Sequence, residues 1–393
     1  QHTLRLGRVI ENTKQRYVIN RELPKPKAPS EYRGPLGVVD TALPGVQFSE
    51  LMVHQAKIAE KLAVIRSMHH DSSSHSTSSH LTQTGYYLRN RQNRGNEMPC
   101  IGSVTARLQG AHSEGVPAYV GLQRTMRYGD AAYLGKAFNP FTVTGDPSRQ
   151  DFKVDNLTLV RGLDADRVND RRYLLEQIGE QRRVIDLNGV SEAIGKFSLE
   201  AFDVVTSGKA QHAFSIESEP DQVRDAYGRN RTGQEFLLAR RLIESGVSFV
   251  SVRVGSWDDH SQIARRMKDK GPAYDQAMGA LVSDLYERGM DQEVLVVAMG
   301  EFGRTPKVNK GAGRDHWGRV MSVVLSGGGL PVGQVVGASN PKGEVPQDAP
   351  YRPENVLAMV YRHLGIDPER TFADLSGRPR YLLEDRGLIR ELI

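Results

Sequence analysis

The C-terminal half of the chain alternates apolar blocks of two kinds. Gln234–Ser245 carries Phe236, Leu237, Ala239, Leu242 and Ile243 on one side at helical spacing, and Gly246 follows where a left-handed cap would fall. Ser248–Val254 is β-branched and apolar, which predicts a strand. Pro272–Arg288 sets Ala277, Leu281 and Leu285 four residues apart and stops at Gly289, which predicts a helix. Glu293–Met299 and Val320–Leu325 predict two more buried strands, the second closed by Gly327-Gly328-Gly329. Helix then strand, repeated with short glycine-capped joints, predicts an α/β sheet covered by helices.

The N-terminal half is less regular. Phe48, Leu51, Met52, Ile58 and Leu62 follow helical spacing. Leu62–Met68 predicts a strand, a Ser/His stretch a polar loop, and Leu81–Leu88 a resumed helix. Residues 1–47 are polar, basic and proline-rich, and predict an extended arm with one short strand at Tyr17–Ile19. Residues 121–230 hold Gly/Asn/Pro turns and charged helical stretches near 165–186 and 191–206, which predict a helical, cap-like insertion. The expected organisation is thus an arm (1–47), an α/β domain (48–370) containing that insertion, and a tail (371–393).

Composition narrows the function classes. The 393 residues are 38% hydrophobic and 25% charged, as in a globular protein. The net charge is +5, and no Lys/Arg block is present to track a phosphate backbone, so nucleic acid is not an expected partner. No run of about 18 apolar residues predicts a membrane span. Cys100 is the single cysteine, which excludes an intramolecular disulfide and a thiolate zinc site. The chain opens on Gln1, as a processed or trimmed form would.

Four polar clusters fall beside predicted strands. The run His69-His70-Asp71-Ser72-Ser73-Ser74-His75-Ser76-Thr77-Ser78-Ser79-His80 follows the first strand and holds four of the eleven histidines. Imidazole suits zinc and similar ions; a solvated loop with capping serines is the plainer alternative. Asp258 and His260, after Ser248–Val254, are two apart, so an extended backbone points both to one side; a helix N-cap is the alternative. Gly300-Glu301-Phe302-Gly303-Arg304 follows the next strand and offers an acid between glycines and a forked donor for an oxyanion, or a tight turn with a surface ion pair. Gly313-Arg314-Asp315-His316-Trp317 precedes Val320, and its Asp-His pair reads as a metal or acid–base site, or as a histidine packed under Trp317. Jointly, carboxylates and imidazoles beside several strand ends are the inventory of a metal-dependent hydrolase.

The stretches Glu31-Tyr32-Arg33-Gly34-Pro35, Thr82-Gln83-Thr84-Gly85, Leu237-Leu238-Ala239-Arg240-Arg241-Leu242, Trp257-Asp258-Asp259-His260, Met299-Gly300-Glu301-Phe302-Gly303-Arg304-Thr305-Pro306 and Gly313-Arg314-Asp315-His316-Trp317 resemble the domain-of-unknown-function family 1501, over roughly residues 28–367. That family is abundant in planctomycetes and related bacteria, is often labelled sulfatase-like, and is similar to the alkaline phosphatase superfamily. The resemblance implies a central mixed, mostly parallel sheet with helices on both faces. It also implies hydrolysis of a sulfate or phosphate ester, with a small anionic ester or a sulfated or phosphorylated glycan as substrate. Its members are often exported through a twin-arginine signal to the periplasm or cell surface; the chain as given shows no such signal.

Carried over residue by residue, the resemblance places His75 where the superfamily has its nucleophile, ten residues before Gly85. His75 is then a ligand, with Ser76 or Thr77 stepping in, or an unusual nucleophile. The implied metal ligands are His75, Asp258, His260, Glu301, Asp315 and His316, holding zinc, with manganese or calcium as alternatives, and Arg304 grips the anion. One departure stands out: where the family carries G-G-P-S-x-x-D-x-x-D, this chain has Asn20 and Leu23 at the two Asp positions. Losing those charges weakens a divalent site. The alternative function is therefore a non-catalytic, metal-binding surface protein that keeps the fold.

Overall fold

The computed structural model describes residues 8–13 (backbone only), 34, 36–90, 95–154, 203–204, 207–255 and 257–393. Among the described residues, eight strands form one mixed sheet: β1 Arg8–Thr13, β2 Ala63–Met68, β3 Tyr119–Leu122, β4 Phe141–Val143, β5 Phe249–Val252, β6 Val294–Met299, β7 Met321–Gly327 and β8 Gln334–Val336. The spatial order is β8-β2-β7-β6-β1-β5-β3-β4. β7 runs antiparallel to both neighbours, and every other pairing in the sheet is parallel.

Residues 8–13 were expected in an extended arm, yet β1 lies between β5 and β6, with Val9 opposite both Phe249 and Leu295. Its R-V-I-E-N-T composition lacks the length and apolarity that mark a buried parallel strand, so sheet pairing rather than sequence pattern defines it. The expected strand at Tyr17–Ile19 lies outside the described residues. Phe141–Val143 falls inside the region read as a cap-like insertion but extends the sheet edge; the expected helices near 165–186 and 191–206 lie almost wholly outside the described residues. Gln47–Ser49 is a strand and Val53–Lys57 a five-residue helix, in place of one continuous helix from Phe48.

Alternation along the strands makes two cores. Val294, Val296 and Ala298 of β6 join one cluster with Val250 and Val252. Leu295, Val297 and Met299 join another with Phe249. The first face is covered by α3 (Arg231–Glu244) and α4 (Ile263–Glu287), the second by α2 (Ile101–Gln109) and α5 (Pro353–His363). Strands buried on both faces read as continuous apolar runs for this reason. α4 begins nine residues before the expected Pro272 start and passes through that proline. It starts at Ile263 because Gln262 N–H and Ile263 N–H are satisfied by the carbonyls of Gly311 and Ala312, closing the loop against the helix entry.

The sheet fixes where chemistry can gather. The segments after β2, β5 and β6 leave the C-terminal ends of parallel strands, on one rim. Because β7 runs the other way, the segment before it reaches the same rim.

Candidate metal centre

α1 (His75–Thr84) begins inside the Ser/His stretch rather than after it, with Ser74 extended at its N-cap and Gly85 left-handed at its end. Its H-S-T-S-S-H-L-T-Q-T sequence has weak intrinsic helicity, and Thr77 through Thr84 are all buried, so packing holds the helix. Two histidines of the stretch serve that packing. His70 accepts from Ser72 N–H through Nδ1 (3.1 Å) and donates from Nε2 to the Glu301 carbonyl (2.7 Å). His80 accepts from Glu97 N–H (3.2 Å) and donates from Nδ1 to the Tyr86 carbonyl (2.6 Å). Burial lowers the pKa of both, keeping them neutral.

His75 opens α1 and faces two carboxylates, Nδ1 at 2.9 Å from Glu301 Oε1 and Nε2 at 3.1 Å from Asp258 Oδ2. Asp258 and His260 do point to one side: Asp258 Oδ1 lies 3.1 Å from His260 Nε2 and 3.0 Å from His316 Nε2. The intervening Asp259 turns the other way, is buried, and binds Lys270 at 2.8 Å. His316 is brought in by a two-residue hairpin that pairs it with Arg304 and Trp317 with Gly303. Gly303 is required there, since a Cβ would overlap the Val320 carbonyl oxygen; likewise a Cβ on Gly313 would overlap the His260 carbonyl carbon.

The outer hydrogen bonds fix the tautomers. His260 Nδ1 lies 2.9 Å from Asp315 Oδ1, and His316 Nδ1 lies 2.9 Å from the Ser73 carbonyl, so both Nδ1 atoms carry the proton. Each Nε2 is then left with a lone pair, and the two Nε2 atoms are 3.0 Å apart. His75, donating from Nδ1 to Glu301, turns a third such lone pair toward Asp258. Ligand atoms about 2.0–2.1 Å from a tetrahedral zinc ion lie about 3.3 Å from one another, close to these separations. His75, Asp258 and His316 together offer three ligand atoms within 4.8 Å of one another. The donor set therefore fits a divalent cation.

The electrostatics agree. Burial would raise the Asp258 pKa, but the hydrogen bond and positive charge of Arg304 outweigh it and hold the carboxyl well below the usual range. Asp315 is lowered by its hydrogen bonds with His260 and Asn309. His316 is lowered chiefly by burial, which favours the neutral, ligating form.

Seven of the nine expected site residues thus meet in one cluster: His75, Asp258, His260, Glu301, Arg304, Asp315 and His316. Ser76 adjoins it and accepts a 2.6 Å hydrogen bond from Arg127 Nη2. Thr77 is buried, with its hydroxyl sealed from solvent and unpartnered among the described residues. Arg304, the expected anion grip, is engaged by protein groups. Its side chain is 5% exposed, and its terminal nitrogens bond Asp258, the Arg314 carbonyl (2.8 Å) and the Trp257 carbonyl (3.3 Å). It braces the loop carrying Asp258.

A cavity of about 460 Å³ opens beside the cluster, lined by His75, Asp258, Glu301 and by Arg124, Arg127 and Arg253. These arginines and Asn309, which bonds Asp315 at 3.1 Å, were not anticipated. Arg253 falls inside the predicted strand Ser248–Val254 but directly follows the observed one; Arg124 and Arg127 lie in the least regular region of the sequence.

Fold and site together define an α/β protein with a histidine–carboxylate cluster at the rim of a mixed sheet, three of whose donor atoms could hold a cation. The chain belongs to the family described as "Protein of unknown function (DUF1501)", whose profile matches residues 11–393. No curated protein matches it. Similar solved structures include Ps i-CgsB in complex with k-i-k-neocarrahexaose, at 11% identity and TM-score 0.43, covering 92% of this chain and 72% of that one. Another is the PsFucS1 sulfatase from Pseudoalteromonas sp., at 12% identity and TM-score 0.42, covering 92% and 68%. A third is the phosphonate monoester hydrolase SpPMH from Silicibacter pomeroyi, at 10% identity and TM-score 0.36, covering 92% and 73%.

Proposed function

We propose that this chain is a metal-dependent hydrolase of sulfate or phosphate monoesters, built on an alkaline phosphatase-like fold. The observation that carries the reading is the convergence of imidazole lone pairs from His75, His260 and His316 on the Asp258 carboxylate, beside an arginine-lined cavity.

His75, Asp258, His260 and His316 would hold the cation, and three imidazoles favour zinc over calcium or manganese. Glu301, Asp315 and the Ser73 carbonyl orient the rings from outside rather than ligating. A divalent cation there supplies Lewis acidity toward an ester oxyanion. Ser76 is the hydroxyl placed to attack, since Thr77 is sealed. Arg127, donating to Ser76 Oγ, favours the deprotonated hydroxyl and faces the cavity in which an oxyanion would sit. Arg304 keeps Asp258 ionised.

The test is elemental analysis of the purified protein together with turnover of 4-nitrophenyl sulfate and 4-nitrophenyl phosphate, with and without chelator. Bound metal and chelator-sensitive product release support the reading. Bound metal without turnover favours the non-catalytic alternative motivated by Asn20 and Leu23, which lie outside the described residues. Neither metal nor turnover sinks both.

A further inference from the structure

The cavity beside the cation centre holds more positive charge than one ester group requires. Three guanidiniums line it, from Arg124, Arg127 and Arg253. The two carboxylates that also line it, Asp258 and Glu301, are engaged by His75, and Asp258 also by Arg304. Arg127 is partly committed, to Ser76. Arg124 and Arg253 have no carboxylate or hydrogen-bond partner among the described residues. A sulfate monoester brings a single negative charge, which the cation centre and Arg127 already meet. Two further guanidiniums on the same wall then have no anion among the described residues.

Their backbone is held in place. Gln123 adopts a left-handed conformation (φ 71°) and donates to the buried Glu235 at 3.1 Å. Thr125 and Thr142 share a 2.8 Å hydroxyl hydrogen bond, which ties the loop to the edge strand β4. Arg127 binds Ser76, and Tyr128 is again left-handed (φ 63°). Arg124 therefore projects from a segment anchored on both sides. Arg253 directly follows β5, five residues before Asp258. Both guanidiniums have fixed roots and free heads, the arrangement that binds an oxyanion through paired N–H donors at small ordering cost.

We infer that Arg124 and Arg253 form a second anion subsite, which selects esters whose alcohol portion carries an additional oxyanion: a sulfate, a phosphate or a carboxylate. This deepens the hydrolase reading and rests on it for the position of the first anion.

The experiment is calorimetric titration of the full-length, metal-loaded protein with three disaccharides on one sugar framework: monosulfated, disulfated, and monosulfated with a uronic carboxylate. The disulfated compound binds roughly tenfold or more tightly than the monosulfated one, the scale of one charge-assisted hydrogen-bonded contact. The uronate arm shows whether a carboxylate serves as well as a sulfate. Arg124→Ala and Arg253→Ala each reduce the preference at least threefold, and the double substitution brings it near one. Arg370→Ala, an exposed charge outside the cavity, leaves it unchanged. A wild-type ratio near one overturns the subsite, as does a preference that survives the double substitution. Failure of the hydrolase reading is seen separately, as absence of product from 4-nitrophenyl esters, and does not alter this binding ratio.

Discussion

His260 and His316 face each other through their Nε2 atoms at 3.0 Å, each with its Nδ1 proton directed outward, to Asp315 and to the Ser73 carbonyl. Two lone pairs at that distance repel unless a cation lies between or beside them. The pair joins segments 56 residues apart in the chain, one after β5 and one before β7.

Cation binding should therefore stabilise the fold. Zinc at about 100 times its dissociation constant contributes about 2.7 kcal/mol, which in a chain of this size raises Tm by roughly 3 °C. Thermal melts with zinc and with chelator should show that difference in the wild type and lose it in His260→Ala/His316→Ala. An unchanged melt in the wild type contradicts the metal centre.

The outer carboxylates act through the rings they hold. Asp315→Asn and Glu301→Gln should each weaken zinc affinity roughly 10- to 100-fold without abolishing binding. Competition with a chromophoric chelator measures this. Complete loss of the metal from either variant would make that carboxylate a ligand rather than an orienting group.

Glu235 supplies a pH dependence away from the metal. Burial pushes its pKa up to about 7, against the opposing hydrogen bonds from Arg231 and Gln123. The unfolded carboxyl releases its proton near 4.5, so the folded state holds a proton that the unfolded state has lost between those values. Stability from this group is thus full below about pH 4.5 and falls as pH rises through about 7, by about 3 kcal/mol at most. Denaturant titrations at pH 5 and pH 8 should show wild type losing this increment relative to Glu235→Gln. An equal or opposite difference refutes the assignment.

Arg240 tests the scaffold alone. It is 1% exposed and bonds Glu219 at 2.7 Å and Glu244 at 2.6 Å. Arg240→Ala strands buried carboxylate charge and should cost about 3–5 kcal/mol. Zinc affinity of the folded variant should be unchanged, because none of these groups touches the centre. A variant as stable as the wild type by chemical denaturation would show the network to be dispensable.

Much of this was legible in the sequence where pattern and burial coincide. β5, β6 and β7 are apolar on both faces, and the Asp258/His260 pair obeys simple two-residue alternation. Three things escaped. β1 is short and its neighbours come from 240 and 286 residues away, so nothing local marks it. α1 is built from serines, threonines and histidines that prefer other conformations until tertiary packing overrides them. The bracing contacts of Arg304 were not legible, because a guanidinium gripping a ligand and one bracing a carboxylate look alike in sequence.

The position of β1 bears on how the molecule is made. β1 lies in the middle of the sheet, and its two neighbours, beginning at Phe249 and Val294, are synthesised far later. Contacts of such high sequence separation are slow to form. The sheet must stay open at its centre until β6 has emerged, so β1 waits through the synthesis of both its partners.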